Sequence, residues 1–234
     1  MEKDAFIFIG RSGCGKGTQK DLVVKKLESL GMPNLSLYTG DSLREFMNGQ
    51  TFVSKKIKEV VGNGGLVPSF VASTMWSKIL MEQYQDTQSL ILDGSPRTLN
   101  EAYELETALQ FLGFINPEVI YINVSNNWSK ERLMARGRKD DSEESINTRL
   151  GWFDTSVLDV VNYYRNKSYY HFHEINGEQT IDAVAADVMK ALPYLSKAQS
   201  NPEAINRSYD YVSSADSANL QTNNEHTNQN PVRN

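Results

Sequence analysis

The chain has 234 residues, 39% of them hydrophobic, with 24 lysines and arginines against 29 aspartates and glutamates and a formal net charge of −5. That size suits one core-forming domain with appendages, and the acidic balance does not suit a nucleic-acid binder. One cysteine allows no internal disulfide, no apolar run is long enough to span a bilayer, and the first four residues lead straight into a strand pattern without a signal peptide, so a cytoplasmic protein is expected.

The first strand pattern, Ala5-Phe6-Ile7-Phe8-Ile9, runs into Gly10-Arg11-Ser12-Gly13-Cys14-Gly15-Lys16-Gly17-Thr18-Gln19 and then a helical pattern. This is the grammar of a phosphate-cradling loop between strand and helix. Glycines let successive backbone N–H groups turn onto phosphate oxygens, the helix N-terminus adds partial positive charge, and Lys16 brings a full charge to the β- and γ-phosphates. The generic pattern has Ser or Thr directly after the lysine; here Gly17 intervenes before Thr18. Cys14 is read as a small residue beside the phosphates.

Further β-type runs at 35–38, 89–92, 118–124 and 169–175 alternate with segments of helical period, such as Leu22/Val23/Leu27/Leu30, Phe70/Val71/Met75/Ile79, Ala102/Leu105/Leu109/Leu112 and Ile181/Val184/Val188/Leu192. The alternation predicts an α/β fold, a five-stranded parallel sheet flanked by helices. In such sheets ligands bind at the carboxyl ends of the strands. Asp93 is expected at one of these ends, placed to hold water around Mg²⁺, with Arg97 in reach of a phosphate. After the second strand, Asp41 is expected to cap a helix carrying Arg44. Arg132 and Arg136 stand i, i+4 on one helix face, followed by Arg138 and Arg149. Guanidinium forks match phosphate oxygens and keep their charge.

Taken in order, GRSGCGKGTQ, YTGDSLR, GGLVP, LDGSPRT and RGRKDD…TRL resemble the motifs of adenylate kinases, over about residues 5–195. The resemblance implies a P-loop kinase domain at 1–197 with an AMP-binding helical segment at 38–68 and a very short lid at 136–142. The implied reaction is ATP + AMP ⇌ 2 ADP with Mg²⁺. It implies that Gly13, Cys14, Gly15, Lys16, Gly17, Thr18, Arg132, Arg136, Gly177 and Gln179 bind ATP. AMP falls to Thr39, Arg44, Gly65, Leu66, Val67, Gly94, Arg97, Glu101, Arg138 and Arg149. Lys16, Arg97, Arg132, Arg138 and Arg149 serve catalysis, and Asp93 and Thr18 hold Mg²⁺ through water. A monomer is implied, with no zinc, no nucleic acid and no membrane partner.

Three positions depart from the family pattern. The lid has no room for an inserted subdomain, which predicts leakage of phosphoryl groups to water. Ser95 replaces a usual Phe and is expected to loosen one wall. Glu101 stands where the family has a Gln that pairs with adenine; a carboxylate accepts from the adenine amine but cannot donate to N1. GMP is thereby a second acceptor candidate, with CMP and UMP behind it, whereas Thr39 and Thr98 favour adenine.

A nucleotide switch or regulatory ATP-binding module is the competing class; its guanine-reading Asn-Lys-x-Asp is missing, since Ser168-Tyr169 follows Asn166-Lys167. His171 and His173 share one strand face without an evident third metal ligand, and Trp76, Trp128 and Trp152 read as packing residues. From about residue 198 the composition turns to Asn, Ser, Gln and Thr, predicting a disordered tail at 198–234, in which Tyr209-Asp210-Tyr211-Val212 is the one stretch suited to docking.

Overall fold

Two apolar faces on one sheet organise the chain. A computed structural model describes residues 3–137 and 142–197. Its strands are Ala5–Gly10 (β1), Asn34–Tyr38 (β2), Ser89–Asp93 (β3), Glu118–Asn123 (β4) and His171–Asn176 (β5), all parallel, in the order β2-β3-β1-β4-β5. The expected fold class is the one observed. Side chains alternate across a strand, so Ala5, Ile7 and Ile9 enter one core while Phe6 and Phe8 enter the other. Residues 169 and 170, expected in the last strand, instead precede it: the Tyr170 N–H closes a turn onto the Lys167 carbonyl.

Helix α1 (Lys16–Ser29) covers one sheet face together with α9 (Ile181–Ala191) and α10 (Pro193–Lys197). The other face carries α4 (Ser69–Gln83), α5 (Leu99–Phe111) and α8 (Leu158–Arg165), with Trp76, Leu105, Leu109, Val160 and Tyr164 buried against it. Phe70 and Ile181, counted in the apolar stripes, sit at the solvent edge of their helices, 64% and 58% exposed.

Between β2 and α4, helices α2 (Thr39–Met47) and α3 (Phe52–Gly62) close with the start of α4 over a separate small cluster of Leu43, Ile57, Val67, Val71 and Ala72. Helix α3 ends as its sequence dictates. Gly64 takes the left-handed conformation (φ 71°), the Gly64 N–H bonds to the Val61 carbonyl and the Gly65 N–H to the Val60 carbonyl. Helices α6 (Asn126–Arg136) and α7 (Glu143–Trp152) pack through Leu133, Ile146 and Leu150. Their serine N-caps, Ser125 and Ser142, accept the N–H groups of Trp128 and Ser145. A π-helical turn at Phe153–Val157 joins α7 to α8. No helix among the described residues is long and apolar enough to cross a membrane.

Candidate active site

The carboxyl ends of the strands open into a cleft of about 890 Å³, bounded by the glycine-rich loop, the acceptor segment, α6 and α7. The loop is held open by backbone geometry. Gly15, at φ 95°, is the N-cap of α1, and a Cβ on Gly10 would stand 2.6 Å from both the Cys14 Sγ and the Ile122 carbonyl oxygen, so only glycine lets the loop settle on β4. Arg11 anchors the outside of the loop, bonded to Asp154 at 2.6 Å and stacked 4.2 Å from the Phe153 ring. The Lys16 ammonium donates to the Gly10 and Arg11 carbonyls at 2.9 and 3.0 Å, curled inside the loop that would receive phosphates. Cys14 is buried, which pushes its thiol up; the neighbouring Lys16 pulls it back. That is the chemistry of a filler, not of a nucleophile.

Facing the loop, the cleft is lined by Arg44, Arg97, Arg132, Arg136 and Arg149. Burial lowers the Arg97 guanidinium, the Glu101 and Asp93 carboxylates raise it, and Arg149 and Arg44 lower it again, so three of these arginines act on one another. Arg149 is braced by its own helix, donating to the Ser145 carbonyl and hydroxyl at 3.2 Å each. Arg132 lies 3.6 Å from the Trp128 ring centroid, which gives that tryptophan a supporting role beyond packing. The lowering of Arg97 by Arg149 and Arg44 is repulsion that an anion entering the hollow would relieve.

Asp93, at the end of β3, has its Oδ2 3.6 Å from where a Cβ on Gly17 would be, beside the loop. With Thr18 also lining the cleft, the side-chain donors beside the loop are oxygens, which fits a hard hydrated cation such as Mg²⁺. No cluster of three His, Cys, Asp or Glu suited to direct metal ligation occurs among the described residues.

A family model for adenylate kinase matches residues 8–169. The chain is 34% identical to adenylate kinase 1 of Nostoc sp. over 80% of its own length and 97% of the relative's. It is 33% identical to an adenylate kinase of Corynebacterium glutamicum over 80% and 97%, and 32% identical to one of Oenococcus oeni over 75% and 91%. The chain belongs to the adenylate kinase family.

Of the residues assigned from the adenylate kinase motifs, all but Arg138 line this one cleft. Arg138, with most of the expected lid, lies outside the described residues, as does the expected tail. Two expectations are corrected. Asp41 does not cap α2: strand β2 runs directly into the helix, Tyr38 is the N-cap, and Asp41 sits in the first turn, ion-paired with Arg44. Thr98 is not a base reader; it caps α5, accepting the Glu101 N–H and donating to the Glu101 carboxylate at 3.2 Å. Ser95, expected to loosen one wall, is buried and does not itself line the cleft.

Other cleft residues gave little sequence signal. Lys20, 1% exposed, is ion-paired with Asp21 and lies 3.7 Å from the Tyr38 ring centroid; a lysine at that helical position reads as surface. Trp152 joins the cleft through α7. The histidine pair also gains a neighbour: Glu118 of β4 bonds His171 at 3.2 Å and His173 at 2.6 Å, a strand register invisible in the chain order.

Proposed function

We propose that this cleft transfers the terminal phosphoryl group of ATP to AMP in line, yielding two ADP, and that the chain acts as a cytoplasmic monomer. As a member of the adenylate kinase family it is a phosphotransferase. The observation that carries the assignment of roles is the convergence of Lys16, Arg44, Arg97 and Arg149 on one hollow.

ATP is assigned to the loop residues 13–18, Arg132, Arg136, Gly177 and Gln179. AMP is assigned to Thr39, Arg44, residues 65–67, Gly94, Arg97, Glu101 and Arg149. Thr39 supports this: its hydroxyl is buried, 5% exposed, with no partner among the described residues, as expected of a group kept for a ligand. Asp93 and Thr18 would hold Mg²⁺ through water, which when bound neutralises charge on the β- and γ-oxygens.

The second pKa of a phosphate monoester is about 6, so the acceptor oxygen is already ionised at neutral pH and needs no general base. What the protein must do is align two polyanions and balance the charge spread over the transition state. Lys16 would exchange its two carbonyl partners for phosphate oxygens, while Arg97 and Arg149 hold the accepting and migrating groups.

Glu101 favours a second reading, GMP, because it is fully buried at the cleft and its carboxylate is acceptor-only. Burial, however, pushes this carboxyl above its ordinary value, and the N–H of Arg97, its charge and the Thr98 hydroxyl pull it only part of the way back. A protonated Glu101 presents one donor and one acceptor, as an amide does, and then matches adenine. The test is ADP formation from ATP with AMP, GMP, CMP and UMP in turn, for the native chain and Glu101→Gln. AMP is expected to give the highest kcat/KM; a better rate with GMP would replace AMP as the acceptor, and no ADP with any acceptor would overturn the reading.

A further inference from the structure

Ser145, Arg149 and Trp152 fall at i, i+4 and i+7 of α7, on one face of that helix. The Trp152 indole N–H donates to the Gly64 carbonyl at 3.0 Å, and the Arg97 guanidinium lies 5.3 Å from the Trp152 ring. Gly64 itself is pressed on the same face, since a Cβ there would come within 2.4 Å of the Ser145 carbonyl oxygen. One side chain therefore touches both the turn that leads into residues 65–67 and the arginine that follows β3. None of the roles assigned to the cleft residues uses it.

We propose that Trp152 is a positioning residue for the acceptor nucleotide, holding the Gly64 turn and the Arg97 guanidinium at a fixed spacing so that both ends of one small molecule are gripped together. The inference rests on the acceptor half of the proposed function. The two grips belong to separate chain segments, and a ligand bridging untied segments must order them itself. An indole suits this role because it is rigid, its N–H fixes a backbone carbonyl, and its face holds a guanidinium. The donor half is untouched, because the polar and cation–ring contacts of Trp152 go to Gly64 and Arg97 and not to the glycine-rich loop.

Trp152→Phe keeps a ring against Arg97 and loses the N–H; Trp152→Leu loses both. The expected result is a KM for AMP raised about fivefold in Trp152→Phe, the loss of one hydrogen bond, and further in Trp152→Leu, with the KM for ATP within about twofold of native. AMP should also change the tryptophan emission of the native protein and not that of Trp152→Phe. Circular dichroism melts verify folding, and Trp152→Phe alone decides if Trp152→Leu does not fold. Native KM for AMP in folded Trp152→Phe, or equal rises for AMP and ATP, overturns the proposal, as does an AMP response that survives the substitution. Should the native chain make no ADP from ATP and AMP, the functional reading falls and takes this one with it.

Discussion

The buried Glu101 carboxylate accepts the backbone N–H of Arg97 at 3.0 Å, so the residue expected to read the acceptor base also fixes the turn that carries the arginine proposed to hold its phosphate. Together with Thr98 it closes a reciprocal cap at the start of α5. Glutamine can keep the Arg97 N–H on its carbonyl oxygen without a charge, its amide NH2 then donating to the Thr98 hydroxyl. Because burial holds the Glu101 carboxyl above its ordinary value, the folded state favours the proton, and ionisation in the folded chain costs stability as pH rises above the unfolded value. Glu101→Gln is therefore expected to raise the melting midpoint at neutral pH, with the gain shrinking on acidification. In parallel, the KM for AMP should fall with acidification in the native enzyme relative to Glu101→Gln, as neutral Glu101 gains its donor. Paired thermal melts and KM profiles across pH check both; a midpoint difference independent of pH would contradict the charge argument.

What the chain order conveyed, and what it hid, follows from the range of the interactions. The loop, the apolar strands and the glycine turn at Gly64 are local patterns, each dictated by neighbours within a few residues. Glu101 was legible only through its resemblance to the family motif; its Thr-x-x-Glu cap, although local, emerges from the structure. Trp152 and Lys20 reach the cleft only because α7 and α1 are folded over it, and their residue types at helical spacing are indistinguishable from core and surface. The pairing of Glu118 with both histidines depends on the register of β4 and β5. The misreading of Asp41 has a different origin: Tyr38 ends a strand and caps a helix at once, so no cap residue separates them.

Glu106 is a second carboxylate with a pH signature, half-buried on the far face of α5, and its sign is opposite. Burial pushes it up, but Lys167 at 2.8 Å, Tyr170 at 3.2 Å and the Tyr163 hydroxyl more than offset this and hold it below its ordinary value. Its stabilisation is present above the unfolded carboxyl range and is lost as pH falls through the folded value. Glu106→Gln should cost about 1–3 kcal/mol at neutral pH, a drop of roughly 2–10 °C for a chain of this size. The deficit should narrow in acid. Melts at several pH values measure it, with activity at a permissive temperature little changed, since Glu106 is remote from the cleft.

Gly64→Ala tests the contact between α7 and the acceptor segment. The residue has φ 71°, and its added Cβ would meet three backbone atoms of Ser145 between 2.4 and 2.9 Å, where no flexible side chain can yield. The left-handed conformation alone costs about 1–2 kcal/mol for a side-chain-bearing residue. The turn must move off α7, so the KM for AMP should rise about tenfold or more while the sheet core still melts cooperatively. An AMP saturation curve like that of the native enzyme would show that the turn does not touch the acceptor.

Lys16→Met and Asp93→Asn separate charge balance from binding. Removing one preorganised donor at a developing charge commonly lowers turnover by about 10²–10³-fold. Lys16→Met should lose at least that in kcat, because no other ammonium among the described residues sits within the glycine-rich loop. Asp93→Asn should raise the Mg²⁺ concentration needed for half-maximal rate, a shift that Lys16→Met should not share. Steady-state rates across a Mg²⁺ titration distinguish the two, and identical titration midpoints for Asp93→Asn and native enzyme would remove Asp93 from the metal site.

The very short lid expected at 136–142 should let water compete for the phosphoryl group. Only Gly137, Arg138 and Lys139 separate Arg136 from Asp140, too few residues to build a subdomain over bound ATP. Sequestration from water normally depends on closure of such a cover, since a water at the acceptor position meets the same aligned, charge-balanced γ-phosphate. ATP hydrolysis without any nucleoside monophosphate is therefore expected to be measurable, and AMP should suppress it by occupying the acceptor half. Phosphate release from ATP alone, then with increasing AMP, checks both parts. An undetectable rate would overturn the expectation that so short a lid lets water in.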